Sequence, residues 1–261
     1  MAPAFRRVPT PRELREAWQT GELDLSERGL RTVPLKIREL TVLRELDLTG
    51  NRLTQLPEWI GELISLRMLD VRDNQLTALP YGMGDLTNLQ RLNLIGNQLS
   101  GIGWASVTNL TSLRVLWLDR NWLTAMPTVI CLPTLWELTL NHNKLTELTP
   151  YIVYLESLGA LRLAANKLTA LPPQIGSLPR LHLLDLSGNQ LTALPPQIGK
   201  LTNLHILDLS GNQLTALPWE IGQLRNLERL DLTGNPLPKP ILELAERGAD
   251  ALTAYLRSRE Q

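Results

Sequence analysis

The sequence predicts an α/β repeat: a solenoid of short parallel strands, each followed by a 3₁₀ or extended return segment, with a helix covering each end. Three observations predict it. The template LxxLxLxxNxL starts at Leu43, Leu66, Leu89, Leu113, Leu135, Leu158, Leu181, Leu204 and Leu227, so the chain repeats itself every 22 to 24 residues. Each copy opens with apolar and polar residues in alternation, as in Leu184, Asp185 and Leu186, the period of a strand with one buried side. An Asn recurs at the ninth place of each copy, where the chain must turn away from the strand.

The first element is a cap over residues 1–19. Thr10, Pro11 and Glu13 form a T-P-x-E capping box with Pro at the first helical place, and Leu14, Ala17 and Trp18 then share one side, which predicts a helix from Pro11 to Gln19. A degenerate copy follows at Thr20, where Leu23, Leu25 and Leu30 keep the frame and Arg28 stands at the Asn place. Ten repeats, the first and last degenerate, fill residues 20–238. One such strand has nothing to bury against. Stacking at about 4.8 Å gives each leucine a neighbour above and below, and burial stabilises by roughly 1.5–3 kcal/mol per side chain. Asn51, Asn74, Asn97, Asn121, Asn143, Asn166, Asn189, Asn212 and Asn235 then form a ladder. A carboxamide both donates and accepts, so it satisfies turn backbone groups that would otherwise be buried unpaired.

The return segments carry LPPQIGKL-like sequences, in which Pro after Leu and Gly after Ile disfavour a long helix. Residues 239–261 form the second cap. Pro240 starts a helix carrying Ile241, Leu242, Leu244 and Ala245, Gly248 interrupts it, and Leu252, Tyr255 and Leu256 resume helical spacing. The whole is expected to be a single structural domain.

Composition excludes several functions. The 26 basic and 26 acidic residues cancel, so no global field draws the chain to nucleic acid or an anionic membrane. Cys131 is the single cysteine, which forbids an internal disulfide and favours a reducing compartment. The start, MAPAFRRVPTPREL, has no apolar core of signal-peptide length, and no long uncharged apolar run follows, so a cytoplasmic protein without a membrane span is expected.

Catalysis is not expected either. His182 and His205 occupy the same place in successive repeats, and neither has a Cys or second His at metal-ligand spacing, while His142 and Cys131 are expected on opposite faces of the repeat, too far apart for a catalytic pair. Cys131 lies in VICLP among apolar residues, where a buried thiol is the expectation. The GMGDLT run at Gly82 and the GIGWAS run at Gly101 lack the third Gly of a dinucleotide fingerprint. The expectation is a protein with no catalytic residue, no metal and no cofactor.

The repeat departs from itself near its centre. Its third, fifth, seventh and eighth places are expected to face solvent on the strand side. The fifth runs Asp24, Asp47, Asp70, Asn93, Trp117, Thr139, Arg162, Asp185, Asp208 and Asp231, so an acidic column gives way across four repeats. Asp119 and Arg120 replace a Ser-Gly pair found later, Asn141 and His142 do so in the next repeat, and Ile95, Val115 and Glu137 add shape and charge. Trp122 stands after the Asn, where Gln or Lys is usual. A Trp beside an Arg among smaller polar residues is the composition of a binding hot spot. Trp104, Trp136, Tyr151 and Tyr154 in the same window are expected to pack.

The pattern from Thr20 to Pro238 resembles the leucine-rich-repeat family, in its intracellular class of about 23 residues per repeat, similar to Ras-group members. The resemblance implies a right-handed horseshoe with a parallel concave sheet, and a non-enzymatic module that binds a protein or peptide. The partner is expected on the central concave face at Ile95, Val115, Trp117, Asp119, Arg120, Trp122, Glu137, Asn141, His142 and Arg162, with the chain acting as a monomer. The absence of cysteines from both caps also resembles members of the cytosol. The run GNPLPKPILELAERGADALTAYLR is similar to the end of the repeats in bacterial Roco-type proteins, which implies a second reading, the sensing region of a larger signalling GTPase. No GxxxxGK[ST] loop occurs in the sequence.

Overall fold

The structure is a computed structural model that describes residues 8–101, 104–126 and 130–259. The chain forms two compact bodies, Met1–Leu123 and Thr124–Gln261.

In the first body, helix α1 (Pro11–Thr20) is one residue longer than the sequence predicts, and residues 1–7 of the expected cap lie outside the described ones. Its capping box is made in full: Thr10 Oγ1 accepts from the Glu13 N–H at 3.2 Å, and the Thr10 N–H donates to Glu13 Oε2 at 2.6 Å. Strands β1 (Glu22–Asp24), β2 (Glu45–Asp47), β3 (Met68–Asp70) and β4 (Arg91–Asn93) follow, then a five-residue helix α2 (Trp104–Thr108) and β5 (Val115–Trp117). Each strand pairs in parallel with the next, leucine opposite leucine, as in Leu46 with Leu69 and Leu92 with Leu116. These leucines are fully buried or nearly so. The returns at Leu35–Glu39, Glu58–Glu62 and Tyr81–Asp85 are 3₁₀ turns, each entered from a Pro in extended conformation. The next return has no such Pro and folds as α2, with Ile102 and Gly103 outside the described residues.

In the second body, β6 (Glu137–Thr139), β7 (Ala160–Arg162), β8 (Leu183–Asp185), β9 (Ile206–Asp208) and β10 (Arg229–Asp231) pair in the same parallel register. 3₁₀ turns alternate with them, and α3 (Lys239–Glu246) and α4 (Ala249–Arg257) close the end.

The two caps seal differently from expectation. Only Ala17 of α1 is buried, and Trp18 is 53% exposed. The cap is tied down by charge instead: Glu13 Oε1 accepts from Arg28 Nη2 at 2.9 Å, while the same nitrogen donates to the Asp24 carbonyl at 2.8 Å. Arg28 thus replaces the missing Asn of the degenerate repeat. At the far end α3 buries none of its residues, whereas α4 buries Ala249, Leu252, Thr253 and Leu256 and packs on the last 3₁₀ turn.

The Asn ladder is present in both bodies. Asn189 is 6% exposed; its Oδ1 accepts from the Leu168 N–H at 3.0 Å, and its Nδ2 donates to the carbonyls of Leu163 and Leu186 at 2.9 Å each. Each carboxamide therefore bonds its own turn and the repeat before it. Asn51, Asn74, Asn97 and Asn121 repeat the pattern in the first body, and Asn166, Asn212 and Asn235 in the second. For Asn143 the bonds to its own turn are seen.

Replacing Asn189 by Ala leaves one buried N–H and two carbonyls without that partner, and is expected to lower unfolding free energy by about 2–4 kcal/mol. Exposed Gln190→Ala is expected to change it by less than about 0.5 kcal/mol, both read by denaturant titration. A second expectation concerns pH. The Arg28 guanidinium first, and then the Thr10 N–H and hydroxyl, lower the Glu13 carboxyl from its ordinary 4.5 to about 2. Because the folded-state value is depressed, the Glu13 contribution is complete above pH 4.5 and is lost as pH falls toward 2. The stability gap between wild type and Glu13→Gln is therefore expected to be constant above that window and to close within it.

Candidate functional site

The fifth-place residue ends each strand, and its carboxylate or carboxamide has a local task. Asp24, Asp47, Asp70 and Asn93 each accept, through Oδ1, the N–H two residues on, at 2.8 to 3.1 Å. Asp185, Asp208 and Asp231 do the same at 3.0 to 3.1 Å. This Asx-type turn satisfies the backbone where the strand ends. The Ser26 hydroxyl, and then its N–H, hold the Asp24 carboxyl below the usual carboxylate range. The acidic column therefore persists for structural reasons. It also does not face solvent throughout as expected: Asp70, Asn93 and Thr139 are buried, and Asp70 Oδ2 accepts from Asn93 Nδ2 at 3.0 Å.

A Trp cannot close that turn, which makes Trp117 the departure to explain. It ends β5 in register with Asn93 and is half-buried, and the Arg91 guanidinium lies 5.4 Å from its ring centroid. Such a cation over an indole contributes about 0.5–1 kcal/mol where exposed and holds the ring. Val115 on the same strand, Ile95 and Asp119 are half-buried as well.

Arg120 occupies the eighth place, where the backbone is left-handed in every repeat that shows it. Its φ is 56°, and Asp73, two repeats earlier, has φ 52°. A side chain held there costs of order 1–3 kcal/mol relative to relaxed backbone, and such strain marks candidate functional positions. Arg120 Nη2 reaches Asp73 Oδ1 at 3.0 Å, across the intervening Gly96, where a Cβ would collide with that carboxylate. Both partners are exposed, at 63% and 49%, so the pair is weak and a ligand carboxylate can compete for Arg120. Trp122, past the strand, is 47% exposed and its N–H bonds the Leu99 carbonyl.

In the second body the candidates engage one another. Arg162 Nη1 meets Glu137 Oε1 at 2.6 Å, both partly buried. Arg162 cannot accept the Ala164 N–H as an Asp would, and Asn141 Oδ1 from the preceding repeat accepts it at 2.7 Å. Asn141 is thus a turn residue, displaced by one repeat. His142 is exposed, with φ 54°.

Trp136, Tyr151 and Tyr154, which are expected to pack, do so at the surface and stay about half exposed. Trp136 is 47% exposed and lies over Gly159, where a Cβ would stand 2.5 Å from the indole; its ring continues into a row with His182 at 5.3 Å and His205 a further 5.6 Å on. Tyr151 and Tyr154 stack at 6.1 Å on the surface. Cys131 is exposed rather than buried. The Trp104 side chain lies outside the described ones. Sequence reasoning missed Arg91 and Asp73. A non-Gly residue at the left-handed place was the available sign for Asp73, and only the structure pairs Arg91 with Trp117.

Among the described residues no group of three or more His, Cys, Asp or Glu is placed to hold a metal, and no helix is long and apolar enough to cross a membrane. A family profile described as leucine-rich repeat region matches residues 22–128 and 172–246, and a second, leucine rich repeat, matches 133–191. No curated protein matches the chain. Among solved structures, a leucine-rich-repeat protein of Leptospira interrogans is 32% identical with a TM-score of 0.57, over 87% of this chain and 69% of that one. The plant peptide hormone receptor RGFR1 in complex with RGF2 is 34% identical with a TM-score of 0.72, over 84% of this chain. The ectodomain of the membrane receptor kinase GASSHO1/SCHENGEN3 from Arabidopsis thaliana, in complex with CASPARIAN STRIP INTEGRITY FACTOR 2, is 29% identical with a TM-score of 0.66, over 86%. This chain spans 38% and 34% of the two plant proteins.

If Trp117 is a surface anchor, removing it spares the fold. Trp117→Ala is expected to lower unfolding free energy by less than about 1.5 kcal/mol, against about 2–5 kcal/mol for Leu116→Ala, its fully buried neighbour, in the same denaturation assay.

Proposed function

Because the chain belongs to the leucine-rich-repeat family, we propose that it is a non-enzymatic interaction module, acting as a monomer without cofactor, that binds a protein or peptide on its strand face. Trp117 is the anchor. The observation that carries this reading is a half-buried indole held by Arg91 at a place where seven other repeats keep a turn-closing Asp or Asn. Arg120, in strained backbone and weakly paired, sets the orientation of the ligand through a carboxylate. Ile95, Val115, Asp119 and Trp122 flank the anchor in the first body. In the second body His142 is the exposed candidate, while Glu137, Asn141 and Arg162 hold its surroundings in shape. The two plant relatives, both solved in complex with a named ligand, support a binding role for this architecture. The exposed free thiol of Cys131 and two helical caps without cysteine favour the cytoplasm.

Peptides selected against the wild-type protein from a displayed random library test the site. At least about tenfold weaker binding is expected for most of them with Trp117→Ala and with Arg120→Glu, measured by titration calorimetry. Undiminished affinity in both variants contradicts the assignment.

A further inference from the structure

The residue immediately before each of β2 to β5 belongs to a second row, which Gly21 ahead of β1 does not extend. Arg44, Arg67, Gln90 and Arg114 precede β2, β3, β4 and β5. They stack rung upon rung through their backbones: the Arg67 N–H donates to the Arg44 carbonyl at 2.7 Å, Gln90 to Arg67 at 2.8 Å, and Arg114 to Gln90 at 2.8 Å. All three arginines are exposed, and among the described residues none of them makes an ion pair. The backbones of the three arginines thus lie along one line about 14 Å long, at about 4.8 Å per rung, with Gln90 on the rung between Arg67 and Arg114.

Arg44 and Arg67 line a trough of about 470 Å³, with Val42, and Ser65, Asn88, Gln90 and Ser112 supply hydroxyls and carboxamides. Arg114 continues the row beyond that lining. Asn88 is fixed in place, its Nδ2 donating to the Ile64 carbonyl at 2.9 Å. No carboxylate lines the trough, and Glu45, which follows Arg44 at the start of β2, does not pair with it. The same place in the second body carries Trp136, Gly159, His182, His205 and Glu228, so the arginines are not a general habit of the repeat.

We infer that this trough binds an extended acidic peptide segment, lying across the strands, with carboxylates at alternate residues. Alternate side chains of an extended chain stand about 6.8 Å apart, so three of them span about 14 Å, with the outer two meeting Arg44 and Arg114 and the middle one falling about 2 Å past Arg67, within the reach of an arginine side chain. Each guanidinium offers a planar fork that matches a carboxylate, and the serine and carboxamide groups answer the peptide backbone between them. A nucleic acid fits less well. No aromatic side chain lines the trough for base stacking, and three cations give few phosphate contacts. This surface is distinct from the one around Trp117, and the inference goes beyond the function proposed for that anchor.

A fluorescein-labelled peptide alternating Glu and Ser tests it by fluorescence anisotropy, beside a Gln-for-Glu version and a single-stranded oligonucleotide of equal charge. The Glu peptide is expected to bind, with affinity falling as ionic strength rises from about 0.05 M to about 0.3 M. The double variant Arg44→Gln, Arg67→Gln is expected to weaken binding about tenfold, Arg114→Gln by about threefold, and Arg15→Gln on α1 not at all. Melting curves matching wild type establish that these surface variants are folded, and Arg114→Gln gives an independent reading. The inference is overturned if the Glu peptide fails to bind, if its Gln version binds equally, if the oligonucleotide binds more tightly, or if the arginine variants keep full affinity.

Discussion

The structure depends on a buried carboxamide that speaks to two repeats at once. Where the chain leaves a strand it must turn, and the turn presents N–H and carbonyl groups to an interior that leucines keep dry. Asn189 answers with one acceptor and two donors, joining its own turn to the backbone of the previous repeat. Leucine burial supplies most of the stabilisation but is indifferent to register. Within each body the directional bonds of the Asn ladder fix it, and with it the alignment of one strand-face residue on the next.

That commitment leaves few positions free for function. The fifth place is occupied by turn closure, the eighth is confined to left-handed backbone, and a residue that departs from either rule must be compensated. Asn141 compensates for Arg162 from a repeat away, and Arg28 compensates for a missing Asn with a guanidinium shared between Glu13 and the Asp24 carbonyl. Trp117 has Arg91 laid against it, and Arg120 crosses Gly96 to meet Asp73. The arginine row ahead of the strands lies outside both constraints, which is why charge can accumulate there without cost to the turn.

Period, alternation and capping were legible in the sequence because they are local. The strands, the Asn ladder and both helical ends follow from spacing within one repeat, and α1 differs from expectation by a single residue. What was not legible lies about 23 residues apart in the chain. The burial of Asp70 and Asn93 arises from their bond across neighbouring strands, and the internal role of Asn141 from an N–H in the following repeat. Trp136 stays half exposed because Gly159, one rung on, leaves room for the indole to lie on the surface. Cys131 sits in an apolar run, but hydropathy of neighbours does not say which way one side chain points.

Native-state hydrogen exchange tests the central role of the Asn ladder most directly. The Leu145, Leu168, Leu191 and Leu214 amides donate to the side-chain oxygens of Asn166, Asn189, Asn212 and Asn235, while the Leu163 and Leu186 amides donate to strand carbonyls of the next repeat. If the carboxamides hold the stack, both sets exchange only through opening of the whole body, with the same free energy and the same dependence on denaturant. Fast, denaturant-independent exchange at the four leucines, with the strand amides still protected, would show that the ladder is ornamental and that leucine packing alone sets the register.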